Sequence, residues 1–169
     1  DGYKSQDLHL GYRATRDFYA KLPPHPEDWL ILAGDIGENE AQLRFALAIA
    51  AERFAKVIWV PGNHELWSTR DDSLRGEAKY LRQVDICREH GVLSPEDPYA
   101  LWPGPPVPHR IVPLFLLYDY SFQPDGLPPK EAIAWAAETG LRCADEMYLH
   151  PDPYPSRELW CEARVHRSR

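Results

Sequence analysis

Three short clusters in the sequence carry side chains that can hold a cation and act on an anion: Asp7-Leu8-His9, Gly34-Asp35 and Gly62-Asn63-His64-Glu65. Asp35 lies 28 residues after Asp7, and Asn63 lies 28 after Asp35. That interval is about one βαβ unit, so each step would deliver polar groups from the end of a strand. In extended backbone Asp7 and His9, at i and i+2, would face the same side and grip one ion together. Each cluster alone has an ordinary reading: a surface turn, an aspartate capping a helix, a turn with a solvated histidine. Jointly they place oxygen and nitrogen ligands at one edge of a parallel sheet, where open α/β sheets build their sites. The chemistry this suits is metal-assisted, and the pattern reads as half of a two-metal phosphoesterase site.

The elements that must position these residues are legible on either side of them. Trp29 to Ala33 and Val57 to Val60 are short, apolar and bounded by turn residues, the pattern of buried parallel strands. Between them Ala41, Leu43, Phe45, Leu47, Ile49, Ala50 and Phe54 fit a helix beginning near Asn39 or Glu40. Leu74, Ala78, Leu81 and Val84 predict a second helix running to about His90, with Gly91 as its stop. Ile111 to Tyr118 predicts a third strand, interrupted by Pro113, and Lys130 to Thr139 a helix. Ser156 is placed to cap a last helix with Leu159, Trp160 and Val165 on its apolar side. Strand–helix alternation makes the chain α/β. One piece fits poorly: Asp7 should end a first strand, yet residues 1–6 are nearly all polar. This predicts either an altered start or a strand at an exposed margin.

A chain of 169 residues can bury about 70% of its unfolded surface in one core. The net charge of −7 disfavours sequence-independent nucleic-acid binding, so an anionic substrate must be attracted by bound cations or a local basic patch. Arg75, Lys79 and Arg82, at i, i+4 and i+7, read as a solvated helix face, with docking of an acidic protein partner as the alternative. No apolar run is long enough to span a membrane, and no exported leader is evident. Cys87, Cys143 and Cys161 are odd in number and unpatterned, which fits a reducing cytoplasm and small buried thiols. The 17 prolines gather in three stretches, and the one from Ser94 to Pro108 reads as a rim loop.

The combination Asp-x-His, Gly-Asp and Gly-Asn-His-Glu resembles the calcineurin-like metallophosphoesterase superfamily. The resemblance implies a two-sheet αββα sandwich, with residues 1–169 the N-terminal part of a single domain incomplete at its C-terminus. It implies two divalent ions, with Asp7 and His9 on the first, Asp35 bridging both, and Asn63 on the second. His64 in that pattern is not a ligand but stands beside the substrate phosphate as general acid or transition-state donor. Elementary chemistry agrees with these roles. Carboxylate, amide and imidazole donors suit Mn, Fe, Zn or Mg, and no thiolate imposes zinc. The neutral Asn63 adds coordination without another negative charge to repel a phosphate, and an imidazole titrates in the range where it can hand on a proton.

From Asp7 to about Val165 the chain is more narrowly similar to actinobacterial phosphopantetheinyl hydrolases of the same superfamily. The similarity is carried by Lys56 to Trp67, Leu114 to Phe122, and Pro153-Tyr154-Pro155 with Trp160-Cys161. It implies a phosphodiester substrate, the phosphopantetheine arm of acyl carrier protein. Tyr118, Asp119 and Tyr120, after the third predicted strand, either line that pocket or form a packed aromatic corner. The superfamily's later lone His and Gly-His-x-His segment have no match after His64. His90, His109, His150 and His166 stand in unsuitable settings, so the second ion would keep Asp35 and Asn63 alone, and the expectation is weak or absent activity of this chain by itself. Two alternatives stand beside the phosphodiesterase: a phosphomonoesterase or nucleotide hydrolase, and a non-catalytic binding protein of the same fold.

Overall fold

A computed structural model of the chain describes residues 2–5, 7–104, 106–119, 122–128, 131–138, 140 and 142–168, with the backbone alone at 2–5. Strands β1 (Gly2–Ser5), β2 (His25–Ala33) and β3 (Phe54–Val60) form a parallel sheet in that order. Helices α1 (Arg13–Tyr19) and α2 (Glu40–Arg53) make the two crossovers, the βαβ rhythm that the 28-residue steps predict. The order puts β1 at the margin of this sheet. An edge strand needs backbone pairing on one side only, which explains how so polar a segment can be a strand at all. Residues 1 and 6 lie outside the described residues.

Strand β3 is the best-buried element. Val57, Ile58 and Trp59 are all buried in succession, as expected when both faces of a parallel strand are covered. Beyond it the Trp59 N–H donates to the Leu93 carbonyl at 2.7 Å and the Leu93 N–H to the Val57 carbonyl at 3.0 Å, so the ladder gains a further rung. Helix α2 opens at Asn39, whose side chain accepts from the Gln42 N–H at 3.0 Å, and buries Leu43, Ala46, Leu47 and Ala50 at helical spacing. Phe54, expected as its last apolar residue, instead has extended backbone and opens β3.

Helices α3 (Asn63–Leu66) and α4 (Gly76–Glu89) follow, and Gly91 at φ 68 supplies the predicted stop. The cationic face expected on α4 is solvated only in part: Arg75 is exposed, as expected, and Lys79 is not. Lys79 is 8% exposed and donates to the Trp67 carbonyl; Arg82, half-buried, pairs with Glu40 at 3.2 Å and Glu89 at 3.4 Å. Lys79 is thus turned in against the end of α3, while Arg82 bridges α2 and α4 at the surface.

The rim from Ser94 to Pro108 carries one small antiparallel pair, β4 (Leu101–Trp102) with β5 (His109–Arg110). The strand predicted at Ile111 to Tyr118 is absent as a ladder: residues 111–119 have no strand partner among the described residues. Its burial still alternates, with Phe115 inside and Val112, Leu114 and Leu116 exposed. Side chains take its carbonyls instead: Arg164 Nε donates to Phe115 O at 3.3 Å and Cys161 Sγ to Leu117 O at 2.9 Å. Helices α5 (Ala132–Ala137) and α6 (Asp145–Tyr148) come next, and α5 falls inside the predicted span, whose ends at 130 and 139 lie outside the described residues. Helix α7 (Arg157–Arg167) is capped by Ser156 as predicted and buries Trp160, while Leu159 stays 43% exposed. Cys87 and Cys161 are buried, but Cys143 is exposed; all three are free thiols.

Helix α7 is fastened to the core through charge. Arg164 lies 5.0 Å over the ring of Tyr80 and 4.7 Å over Phe115. Its Nη2 also meets Glu96 Oε1 at 2.8 Å, beside a 2.8 Å bond from the Tyr80 hydroxyl and an Arg167 pair at 2.9 Å. Burial by itself pushes the Glu96 carboxyl up; the Tyr80 hydroxyl and the two guanidinium groups outweigh it and hold the group below its ordinary 4.5. A depressed carboxylate adds stability that is complete above the unfolded value and disappears as pH falls through the folded one. Urea unfolding between about pH 3 and pH 6 should therefore show stability falling below pH 4.5, with a shallower fall in Glu96→Gln.

Candidate metal centre

The ends of β2 and β3 are locked together by one buried carboxylate. Glu65, 2% exposed, accepts from Ile36 N–H at 2.6 Å, Gly62 N–H at 2.9 Å and Asp35 N–H at 3.0 Å. Parallel strands that stop pairing leave N–H groups needing partners, and Glu65 supplies them. Burial raises its carboxyl above the ordinary 4.5, a rise that these backbone donors offset only in part. The fit leaves no room for a side chain at Gly62, where a Cβ would come within 2.6 Å of Asp35 N. Gly34, at φ 88, would bring its own Cβ to 2.8 Å from Gly62. The glycines preceding Asp35 and Asn63 thus allow two loop backbones to touch.

Beyond the strand ends the chain from β1 runs alongside that from β2. Asp7 N–H donates to Gly34 O at 3.2 Å, His9 N–H to Asp35 O at 2.9 Å, and Leu10 N–H to Ile36 O at 2.8 Å. Asp7, His9 and Asp35 take φ of 55, 44 and 53, and among the described residues they are the only non-glycines at positive φ. Such backbone costs about 1–3 kcal/mol per residue and collects at functional sites. The extended backbone expected for Asp7 to His9 is therefore not what is found, and the two side chains do not share a face through strand geometry.

His9, Asp35 and His64 each bring a ligand atom into a group in which all lie within 4.8 Å of one another. Asp35 Oδ1 also accepts from His64 N–H at 3.3 Å, which fastens the carboxylate to the start of α3. The His64 ring stands edge-on to His9 at 4.6 Å and lies 3.7 Å from Trp67. Its Nδ1 is 3.2 Å from Glu38 Oε1, so the opposite nitrogen, Nε2, is the one left for other work. Asp7 is exposed and is not in the triplet. Asn63 opens α3 and gives its amide Nδ2 to Asp145 Oδ1 at 2.8 Å. The donor set of carboxylate and imidazole fits a divalent ion.

Glu65 stands in its motif without a role of its own, and Glu38 and Asp145 belong to no motif in the sequence. Glu65 sits next to His64 and could have been suspected from that; Asp145, 82 positions from Asn63, carries no local signal. A cavity of about 230 Å³ opens beside the triplet, lined by His9, Tyr12, Glu38, Gln42 and His64 among others. A larger groove of about 800 Å³ lies away from it, between Tyr118, Phe122, Ile133, Trp135 and Met147. Tyr118 thus reaches a cavity wall, whereas Tyr120 lies outside the described residues.

The calcineurin-like phosphoesterase family model matches residues 7–147, and the chain belongs to that family. Over 167 residues it is 47% identical to the acyl-carrier-protein phosphodiesterase PptH of Mycobacterium tuberculosis, covering 96% of this chain and 52% of that protein. The crystal structure of phosphopantetheinyl hydrolase (PptH) from the same organism matches with a TM-score of 0.93 at 44% identity, over 99% of this chain and 61% of that one. The chain accordingly spans about half the length of the curated relative it matches.

Glu65→Gln tests the clamp. A Gln side chain must turn an NH2 toward backbone donors, and leaving one of them unmet costs about 1–3 kcal/mol. Denaturant unfolding should show a loss of that size; a variant as stable as the parent would mean that Glu65 does not tie the strand ends.

Proposed function

We propose that this chain supplies ligands and a proton donor to a dinuclear metal centre that hydrolyses a phosphodiester, releasing phosphopantetheine from acyl carrier protein. The observation that carries the reading is the meeting of His9, Asp35 and His64 within 4.8 Å at the ends of successive parallel strands. The 47% identical relative is an acyl-carrier-protein phosphodiesterase, which supports the substrate. Asp35 would bridge the two ions, His9 and Asp7 would hold one, and Asn63 would hold the other. Asp7 is exposed, with its N–H on Gly34 O, and its side chain would have to turn toward the triplet to serve.

When bound, divalent ions supply Lewis acidity toward the phosphoryl oxygens and balance the charge that builds there. The chain's residues do the rest. Glu38 fixes the His64 ring by its Nδ1, and Nε2 delivers a proton to the departing alkoxide oxygen. Trp67 packs against the ring and limits its rotation. Three free thiols support a reducing, cytoplasmic setting for the reaction.

Mn²⁺-loaded chain, incubated with holo acyl carrier protein and followed by intact-protein mass, should remove the arm, slowly because the second ion would keep only Asp35 and Asn63. Asp35→Asn should lose bound Mn²⁺. His64→Ala should keep it while the rate falls by about 10²–10⁴. Metal content indifferent to Asp35→Asn would overturn the centre. Bound metal with no hydrolysis would favour a binding protein, and turnover of a phosphomonoester alone would overturn the diester assignment.

A further inference from the structure

Asp145 is 5% exposed and lies on α6, far along the chain from the three ligand clusters. Its carboxylate is fully engaged by neutral donors: Asn63 Nδ2 at 2.8 Å and Trp67 Nε1 at 2.5 Å on Oδ1, the Tyr118 hydroxyl at 2.9 Å on Oδ2. Among the described residues no cation pairs with it. A buried carboxylate held only by neutral groups is costly unless a positive charge lies near. Two of its donors are themselves part of the site's wall: Asn63 opens α3, and Trp67 packs on His64.

An amide can turn either end toward a partner, and its two ends are chemically opposite. A carboxylate only accepts, so it forces Nδ2 of Asn63 inward and turns Oδ1 away. Among the described residues no donor meets that Oδ1. An amide coordinates a divalent ion through oxygen, not through its NH2 nitrogen. We infer that Asp145 is a positioning residue for the metal centre: it fixes the amide of Asn63 with the oxygen facing the ion and, through the charge-assisted hydrogen bond, makes that oxygen a stronger donor. Tyr118 and Trp67 hold Asp145 in turn, which couples the third apolar segment and α6 to the ligand loop after β3. This rests on the reading of Asn63 as a ligand.

Partners of this kind change metal affinity by about 10–100-fold when removed. Calorimetric titration of Mn²⁺ into the metal-free chain tests the inference with Asn63→Ala, Asp145→Asn and the double variant. Asp145→Asn frees Asn63 to flip; its Mn²⁺ affinity should fall by about tenfold or more, to a level near that of Asn63→Ala. In the double variant the second change should add nothing, because Asp145 acts through Asn63. A merely structural role would lower the unfolding temperature of the metal-free protein and weaken binding equally in both backgrounds; that additivity would overturn the inference. If Asn63→Ala alone binds Mn²⁺ as the parent does, the ligand assignment itself fails. If Asn63→Ala is weak but Asp145→Asn is not, only the positioning role fails. Should Asp145→Asn not fold, Tyr118→Phe removes one donor to the same carboxylate; a several-fold weakening supports the role, and unchanged affinity overturns it.

Discussion

Everything at the candidate metal centre depends on a carboxyl group outside the ligand triplet. Glu65 receives backbone N–H groups from Asp35 and Ile36 after β2 and from Gly62 after β3. Where parallel strands end, the ladder stops and the loops would ordinarily splay. Here one buried anion replaces the missing rung and draws both loops to a common point. The close approach of Gly34 to Gly62 follows from this, and it excludes any larger residue at either place. Acceptor oxygens are required because every facing group donates; an amide of the same shape would bring a donor of its own.

The same clamp explains why unfavourable backbone survives at Asp35. With its N–H on Glu65, its carbonyl accepting from His9 N–H and its Oδ1 accepting from His64 N–H, the residue is held from three directions. A φ of 53 is then imposed by the surroundings rather than chosen locally. His9 inherits its position from Asp35 by the next bond along. The candidate ligands are thus ordered by backbone bonds between loops, and the histidines reach each other although β1, β2 and β3 each bring only one cluster.

How much of this could be read in the sequence depends on whether the signal was local. Continuous apolar runs at Trp29 to Ala33 and Val57 to Val60 marked β2 and β3 because both faces of buried strands must be apolar. Asn39, Gly91 and Ser156 marked helix ends because capping and left-handed backbone need those residue types. The equal 28-residue steps marked the sheet edge where His9, Asp35 and His64 meet. Non-local partners were invisible. Ile111 to Tyr118 has the composition of a strand, but its carbonyls go to Arg164 and Cys161, residues of a helix about 50 positions later. Lys79 and Arg82 look solvent-facing at helical spacing until α2 and the end of α3 are placed against them. Asp145 gives no hint of its purpose until Asn63, Trp67 and Tyr118 are brought to it.

Charge around the site argues for what must bind there first. The cavity beside the triplet has Glu38 in its wall and, among its lining residues, no Lys or Arg. Asp35, Glu65 and Asp145 lie behind it, all accepting hydrogen bonds from neutral groups. The nearby cations of α4 are committed to Trp67, Glu40 and Glu89. On the proposed reading, a phosphodiester approaching this concentration of carboxylates, on a chain already at −7, would be repelled by the protein alone. Divalent ions would reverse the sign of the local potential, so they would be needed for substrate to enter as much as for the bond to break. An Asn among the proposed ligands would fit that economy of charge, because a neutral amide leaves more of the ions' positive field to the phosphate.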